Sequence, residues 1–149
     1  MTLEQKIFLN RRFREAVSKQ PELKQLKVVL LRLGGDFIVG PPQPDQDVPS
    51  LLEDGFVLSG PILLKAMNSS SCHQNVAYVW TKRRFGIVGI ATGYALSEDG
   101  LWRQHSWGIL REGLLETTEA RVKYFGIVFQ GKRADFFASS NPGYLLTPG

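Results

Sequence analysis

A single cysteine, Cys72, and only two histidines, His73 and His105, stand in a chain of 149 residues. One thiol forms no internal disulfide, and so few soft ligands cannot build a zinc knuckle, which needs several Cys or His at fixed spacing. The sequence therefore predicts no metal and no cofactor, and its unpaired thiol suits the reducing cytoplasm. Long apolar runs are also missing. Val28 to Leu33 is broken by Arg32 and followed by Gly34-Gly35, far short of the ~18 uninterrupted residues of a membrane span. Met1 to Asn10 carries Glu4 and Lys6 inside its apolar pattern, unlike a secretory signal, so a soluble cytoplasmic protein without a membrane partner is expected. No P-loop, G-x-G-x-x-G, H-E-x-x-H or G-x-S-x-G segment occurs, and no internal repeat. The usual signatures of nucleotide, zinc-protease and serine-hydrolase chemistry are thus lacking.

What is present is a well-supplied core. Apolar residues make up 43% of the chain and charged residues 21%, with nine Phe, four Tyr and three Trp. This composition excludes wholesale disorder, collagen and coiled coil, and the length fits one domain spanning 1–149. The net charge of +4 is unevenly laid out: residues 1–33 hold eight basic and three acidic side chains, whereas residues 34–64 hold five acidic and none basic. Two faces of opposite sign packing together would give this pattern. Nucleic acid is the less favoured partner, because the basic residues are spread over separate regions.

Leu3, Ile7, Phe13, Ala16 and Val17 follow helical spacing through Ser18, with Thr2 as the N-cap and Pro21 near the end. Leu26 to Leu33 and Asp36 to Val39 flank Gly34-Gly35 and predict a pair of strands. Residues 40–50 contain four prolines and predict a loop. Beyond Ser69-Ser70-Ser71, the apolar positions Cys72, Val76, Val79 and Trp80 predict a helix with the cysteine in its first turn. Strands are expected over Phe85 to Leu96, Leu101 to Leu110, Leu114 to Thr118 and Val122 to Gln130, with turns at Asp99-Gly100 and Glu112-Gly113. A short helix over Arg133 to Ser139 and a loose tail from Asn141-Pro142-Gly143 follow. Helices mainly early and then an antiparallel meander imply an α+β fold.

A thiol is nucleophilic as thiolate, and a helix N-terminus stabilises that anion through its unpaired N–H groups and its dipole. Cys72 occupies such a position. The backbone amide of Cys72, with a side-chain amide from Asn68 or Asn75, offers an oxyanion site. The thiol also needs a base held by a third group. His73 is adjacent in sequence, so on a helix its side chain diverges from Cys72 by about 100°, and it reads as a cap or surface residue. His105 lies on a strand whose alternation puts His105, Trp107 and Ile109 on one face. Glu116 and Glu119 are the candidate orienting carboxylates. A regular hairpin turning at Glu112-Gly113 with a three-residue loop sets Glu119 opposite His105.

Ser71-Cys72-His73-Gln74-Asn75 opening a helix, then Thr92-Gly93-Tyr94, His105-Ser106-Trp107 and Glu116-Thr117-Thr118, resembles the transglutaminase-like cysteine proteins of the papain-like superfamily, with Glu where that family has Asp. The resemblance covers residues 69–118. It implies a papain-like core with Cys72 as nucleophile, His105 as general base and Glu116 as the orienting carboxylate. The implied activity is hydrolysis or transfer at an amide or ester bond of an acyl substrate, a peptide or protein among the possibilities. Trp107 and Tyr94 are the candidate substrate contacts. The alternative is a small Sm-like barrel that binds RNA or protein, with Arg11, Arg12 and Arg14 on its basic helix.

Overall fold

Helix α1 (Leu3–Lys19) begins at a reciprocal cap: the Gln5 N–H donates to Thr2 Oγ1 at 3.1 Å, and the Thr2 N–H donates to Gln5 Oε1 at 2.8 Å. A computed structural model of the chain describes residues 1–142; most of the tail expected from Asn141 onward lies outside them. Helix α2 (Leu23–Leu33) occupies the segment expected as the first strand of a hairpin. Leu23, Leu26 and Leu30 are its buried residues, spaced at i, i+3 and i+7, so the helical period prevails over the apolar run. Gly34 and Gly35, with φ of 146° and 76°, end this helix instead of forming a hairpin turn. The following strand β1 (Phe37–Ile38) pairs in parallel with a strand far along the chain.

The proline-rich segment is a loop only in part. Helix α3 (Val48–Asp54) starts inside it, with Pro49 in the first turn, where the missing N–H costs nothing. Two short strands then appear that the sequence reading did not assign, β2 (Phe56–Leu58) and β3 (Ile62–Leu64). Helix α4 (Cys72–Lys82) begins directly after the serine cluster, as expected. Strands β4 (Gly89–Leu96), β5 (Leu101–Leu110), β6 (Gly113–Glu116) and β7 (Lys123–Phe129) form the meander, and α5 (Gly131–Ser139) closes the described chain.

The sheet runs β2-β7-β4-β5-β6-β3, with β1 joined to β5. Its pairs are antiparallel except β1–β5 and β3–β6. Leu58 and Ile62 end and begin the two outermost strands, yet three residues link them. An extended link of that length spans about 14 Å, whereas six flat strands would separate the edges by roughly 24 Å. The sheet must therefore curl.

The glycine pair Gly93 and Gly126, in register between β4 and β7, lets it do so. A Cβ on Gly93 would stand 2.2 Å from the Phe125 carbonyl oxygen, and one on Gly126 would stand 2.8 Å from the Trp107 ring. Leu58, Ala91, Ala95, Trp107, Leu114 and Tyr124 fill the concave face. All helices lie on the convex face. There α1, α2 and α3 pack with Tyr94, Trp102, Phe125 and Ile127, while α4 and α5 pack with Ile90 and Leu115. The architecture is α+β, with five helices and a curled, mainly antiparallel sheet among the described residues.

Candidate active site

Strand β5 is paired with β4 along Leu96–Gly89, but its other edge is shared. Strand β1 covers it at Leu101 and Trp102, and β6 covers it from Gly108 to Leu110. The gap between them leaves the backbone around His105 and Ser106 without a strand partner on that edge. The N-terminus of α4 meets the strand in this gap: the Cys72 thiol lies against the Ser106 N–H and the His105 side chain, both of which favour its anion. Helix start and strand thus bring together two residues that lie 33 positions apart.

The imidazole is held from its far side. His105 Nε2 donates to Glu116 Oε1 at 2.8 Å, which leaves Nδ1 for the thiol. Glu116 is completely buried, and each of its oxygens is occupied. Oε1 also accepts from the Tyr124 hydroxyl at 2.8 Å; Oε2 accepts from the Thr118 N–H at 3.0 Å and its hydroxyl at 2.9 Å. The Arg121 guanidinium lies 4.0 Å from Oε1. This carboxylate is fixed in both position and charge. Trp107 stacks on the imidazole, centroids 5.9 Å apart, and Tyr124 packs against Trp107 at 4.8 Å.

These contacts oppose burial in each member of the chain. Burial pushes the Cys72 thiol up, but the His105 hydrogen bond and charge and the Ser106 N–H outweigh it, so the thiol lies below its ordinary value. For His105, burial acts against the cation, and the bonds to Cys72 and Glu116 reverse that, raising its pKa. Burial likewise penalises ionised Glu116, yet His105, the Thr118 N–H and Tyr124 hold its carboxyl below the usual range. All three shifts run toward the charged form of the group: thiolate, imidazolium and carboxylate.

Glu116 reaches His105 through a register that the sequence reading did not foresee. The turn is Arg111-Glu112, which pairs Leu110 with Gly113 and Gly108 with Leu115. One step further Glu116 stands level with Trp107, diagonal to His105 on the same concave face, within reach of a long side chain. Glu119, which a regular three-residue loop would have set opposite His105, is exposed at 74% and lies 3.8 Å from Arg121.

The contacts also place four other candidate residues. Asn75 is buried, and its amide donates to the Asn68 carbonyl at 2.7 Å and toward the Thr117 carbonyl at 3.5 Å, so it secures the loop before α4 and has no N–H left for an oxyanion. The Asn68 contribution to that bond is its backbone carbonyl, not its side-chain amide. Trp107 is wholly buried core on the concave side, not a cleft wall. Tyr94 is wholly buried on the convex face, where its hydroxyl donates to Asp45 at 3.1 Å. Neither aromatic is open to a substrate.

His73 is not a surface cap either. It is half-buried, with Nδ1 bonded to Ser106 Oγ, and Ser106 Oγ lies 2.9 Å from Thr92 Oγ1. Burial, and next the His105 charge, hold its pKa down to about 4, so it is neutral at neutral pH. Ser106, Thr118 and Tyr124 were not singled out from the sequence. Alternation along β7 could have placed Tyr124 on an inward face, but only the observed register sets it against Glu116. Of the three arginines on α1, Arg12 donates Nε to the Gly40 carbonyl at 2.8 Å and so ties α1 to the loop.

Among the described residues no group of three or more His, Cys, Asp and Glu side chains is arranged to hold a metal ion, and no helix is long and apolar enough to cross a membrane. No protein-family model matches the chain, and neither curated proteins nor solved structures give a match.

Proposed function

We propose that the chain is a small cysteine hydrolase or acyltransferase, acting on an amide or ester bond through Cys72, His105 and Glu116, with a papain-like or transglutaminase-like core. One observation carries this reading: the Cys72 thiol is set beside the His105 imidazole, which a hydrogen bond holds to the buried Glu116 carboxylate. A nucleophile, a base and an orienting group in hydrogen-bonded sequence are what covalent acyl transfer needs. The Cys72 thiolate attacks the carbonyl carbon and opens its π bond. Electron density collects on the oxygen, where the first-turn N–H groups of α4, beginning with that of Cys72, stabilise it. As the tetrahedral species collapses, the His105 imidazolium gives its proton to the departing nitrogen or oxygen. His105, now neutral, takes a proton from water or from an acceptor amine, which attacks the thioester carbonyl; the C–S bond then breaks and Cys72 leaves as thiolate beside the imidazolium. Glu116 holds the ring and its charge throughout.

The test is trapping of the acyl-enzyme. Exposed at neutral pH to a panel of p-nitrophenyl esters and acyl thioesters, the protein is expected to gain the mass of one acyl group on Cys72, measured by intact and peptide mass spectrometry. Cys72→Ala should gain none, and His105→Ala should acylate ~10²-fold more slowly or worse. Absence of any Cys72 adduct across the panel, or equal acylation in His105→Ala, would contradict the reading.

A further inference from the structure

A cavity of about 390 Å³ opens beside this chain on the convex face, between β4, β5, α5 and the loop before α3, and His73 and Thr92 form part of its wall. The volume is within the range of small-molecule sites, ~300–1,000 Å³. Its connection to the thiol runs through His73, which follows Cys72 in the chain, and through Ser106, which holds His73 through Oγ and sets its N–H against the Cys72 sulfur.

Behind the wall, His73 Nδ1 is bonded to Ser106 Oγ, which lies 2.9 Å from Thr92 Oγ1. Among the described residues no hydrogen bond engages His73 Nε2.

The opposite wall is also rich in acceptors. Asp45 is 4% exposed and accepts from the Tyr94 hydroxyl and the Asp47 N–H, so its carboxylate has built-in donors. Asp47 is half-buried, and among the described residues no hydrogen bond or ion pair engages its carboxylate. Among the described residues the only cation on the wall is Arg133, whose guanidinium stacks on Phe129 at 4.7 Å and makes no ion pair with Asp47. Two carboxylates, one guanidinium and a neutral imidazole leave the cavity one positive charge short. Burial, and then the Asp45 charge, raise the Asp47 pKa, with Arg133 offsetting part of that.

We infer that this cavity is the acyl-side subsite and selects acyl groups that carry a protonated amine, with Asp47 receiving the ammonium and the aromatic residues of α5 flanking the carbon skeleton. The inference rests on the proposed cysteine chemistry, since it is Cys72 that would receive the acyl group. Asp47 is a specificity-determining residue here and takes no part in bond making.

The experiment compares L-phenylalanyl chloromethyl ketone, which has a free amine, with its N-acetyl form as alkylators of Cys72. Each second-order rate is divided by the iodoacetamide rate of the same variant, and the same pair on N-acetylcysteine corrects for intrinsic reactivity. The corrected preference of the wild-type protein for the free amine is expected to be about tenfold or more. It should fall toward one in Asp47→Asn and rise in Arg133→Gln, an exposed position whose replacement does not threaten folding. A corrected preference near one in the wild type, or the same preference in all three proteins, would overturn the subsite. Iodoacetamide alkylation of Cys72 no faster than that of N-acetylcysteine at pH 6 would instead overturn the cysteine chemistry, and the subsite with it.

Discussion

Glu116→Gln is expected to lower Cys72-dependent acyl transfer by ~10²–10⁴-fold at neutral pH. The amide keeps the shape of the carboxylate but not its charge, and its NH₂ group must face donors that in the wild type meet an acceptor. The His105 N–H, the Tyr124 hydroxyl and both Thr118 donors all point at the carboxylate, so at least one loses its partner. An unpaired buried donor costs about 1–3 kcal/mol. Glu116→Ala, which strands the whole donor set, should cost about 3–5 kcal/mol.

The pH dependence of this loss follows from the shifts. Glu116 is held below its ordinary 4.5, so its contribution is complete above pH 4.5 and disappears as pH falls through the lower, folded-state value. His105 is raised above its ordinary 6.5, so its contribution is complete below pH 6.5 and disappears as pH rises through the higher, folded-state value. Urea unfolding of wild type and Glu116→Gln should therefore differ most between pH 4.5 and pH 6.5. A difference that is the same at every pH would contradict the charge pairing.

Gly93→Ala is expected to destabilise the fold by about 3 kcal/mol or more. Overpacking a core position with a methyl group costs ~1–3 kcal/mol when side chains can move aside. Here the new Cβ would meet backbone, the Phe125 carbonyl oxygen at 2.2 Å and the Gly126 Cα at 2.6 Å. The strands must separate where the sheet curls, and His105 is the in-register neighbour of Gly93 on β5. Thiol reactivity should fall along with stability. Gly89→Ala, on the same strand, meets its nearest atom at 3.1 Å and should cost less. Chemical unfolding measures both. A Gly93→Ala protein within about 0.5 kcal/mol of wild type would mean that the glycine pair does not set the curl.

The elements that the sequence revealed are those whose local signals agree with their tertiary use. Thr2 caps α1 and the serine cluster precedes α4. Cys72 and His105 could be paired in thought because one sits at a helix start and the other on an inward strand face. What failed was decided over long range. Leu26 to Leu33 carries a β-like apolar run, but packing of Leu23, Leu26 and Leu30 against the sheet makes it a helix. Strands β2 and β3 are three residues each and exist because the curling sheet supplies partners far along the chain. The contest between Glu116 and Glu119 turned on a single hairpin register, and a turn at Arg111-Glu112 moved the pairing away from the one that favoured Glu119. Trp107 and Tyr94 are aromatic residues near the site in sequence, but β-alternation sends them to opposite, closed faces. The Asp45, Asp47 and Arg133 wall had no local signature, because its members come from a loop and a helix brought together only by the fold.

The measurement that tests the central claim most directly is the rate of Cys72 alkylation by iodoacetamide as a function of pH, in wild type and in His105→Ala. With the imidazole in place, the thiol should stay reactive well below its ordinary 9.0, and a reactive plateau should extend into the acid range. Without it, burial acts unopposed except by the Ser106 N–H, and the apparent pKa should move up to or past 9.0. A wild-type thiol that titrates near 9.0 and does not change in His105→Ala would show that Cys72 and His105 are not coupled, and the catalytic reading would fall.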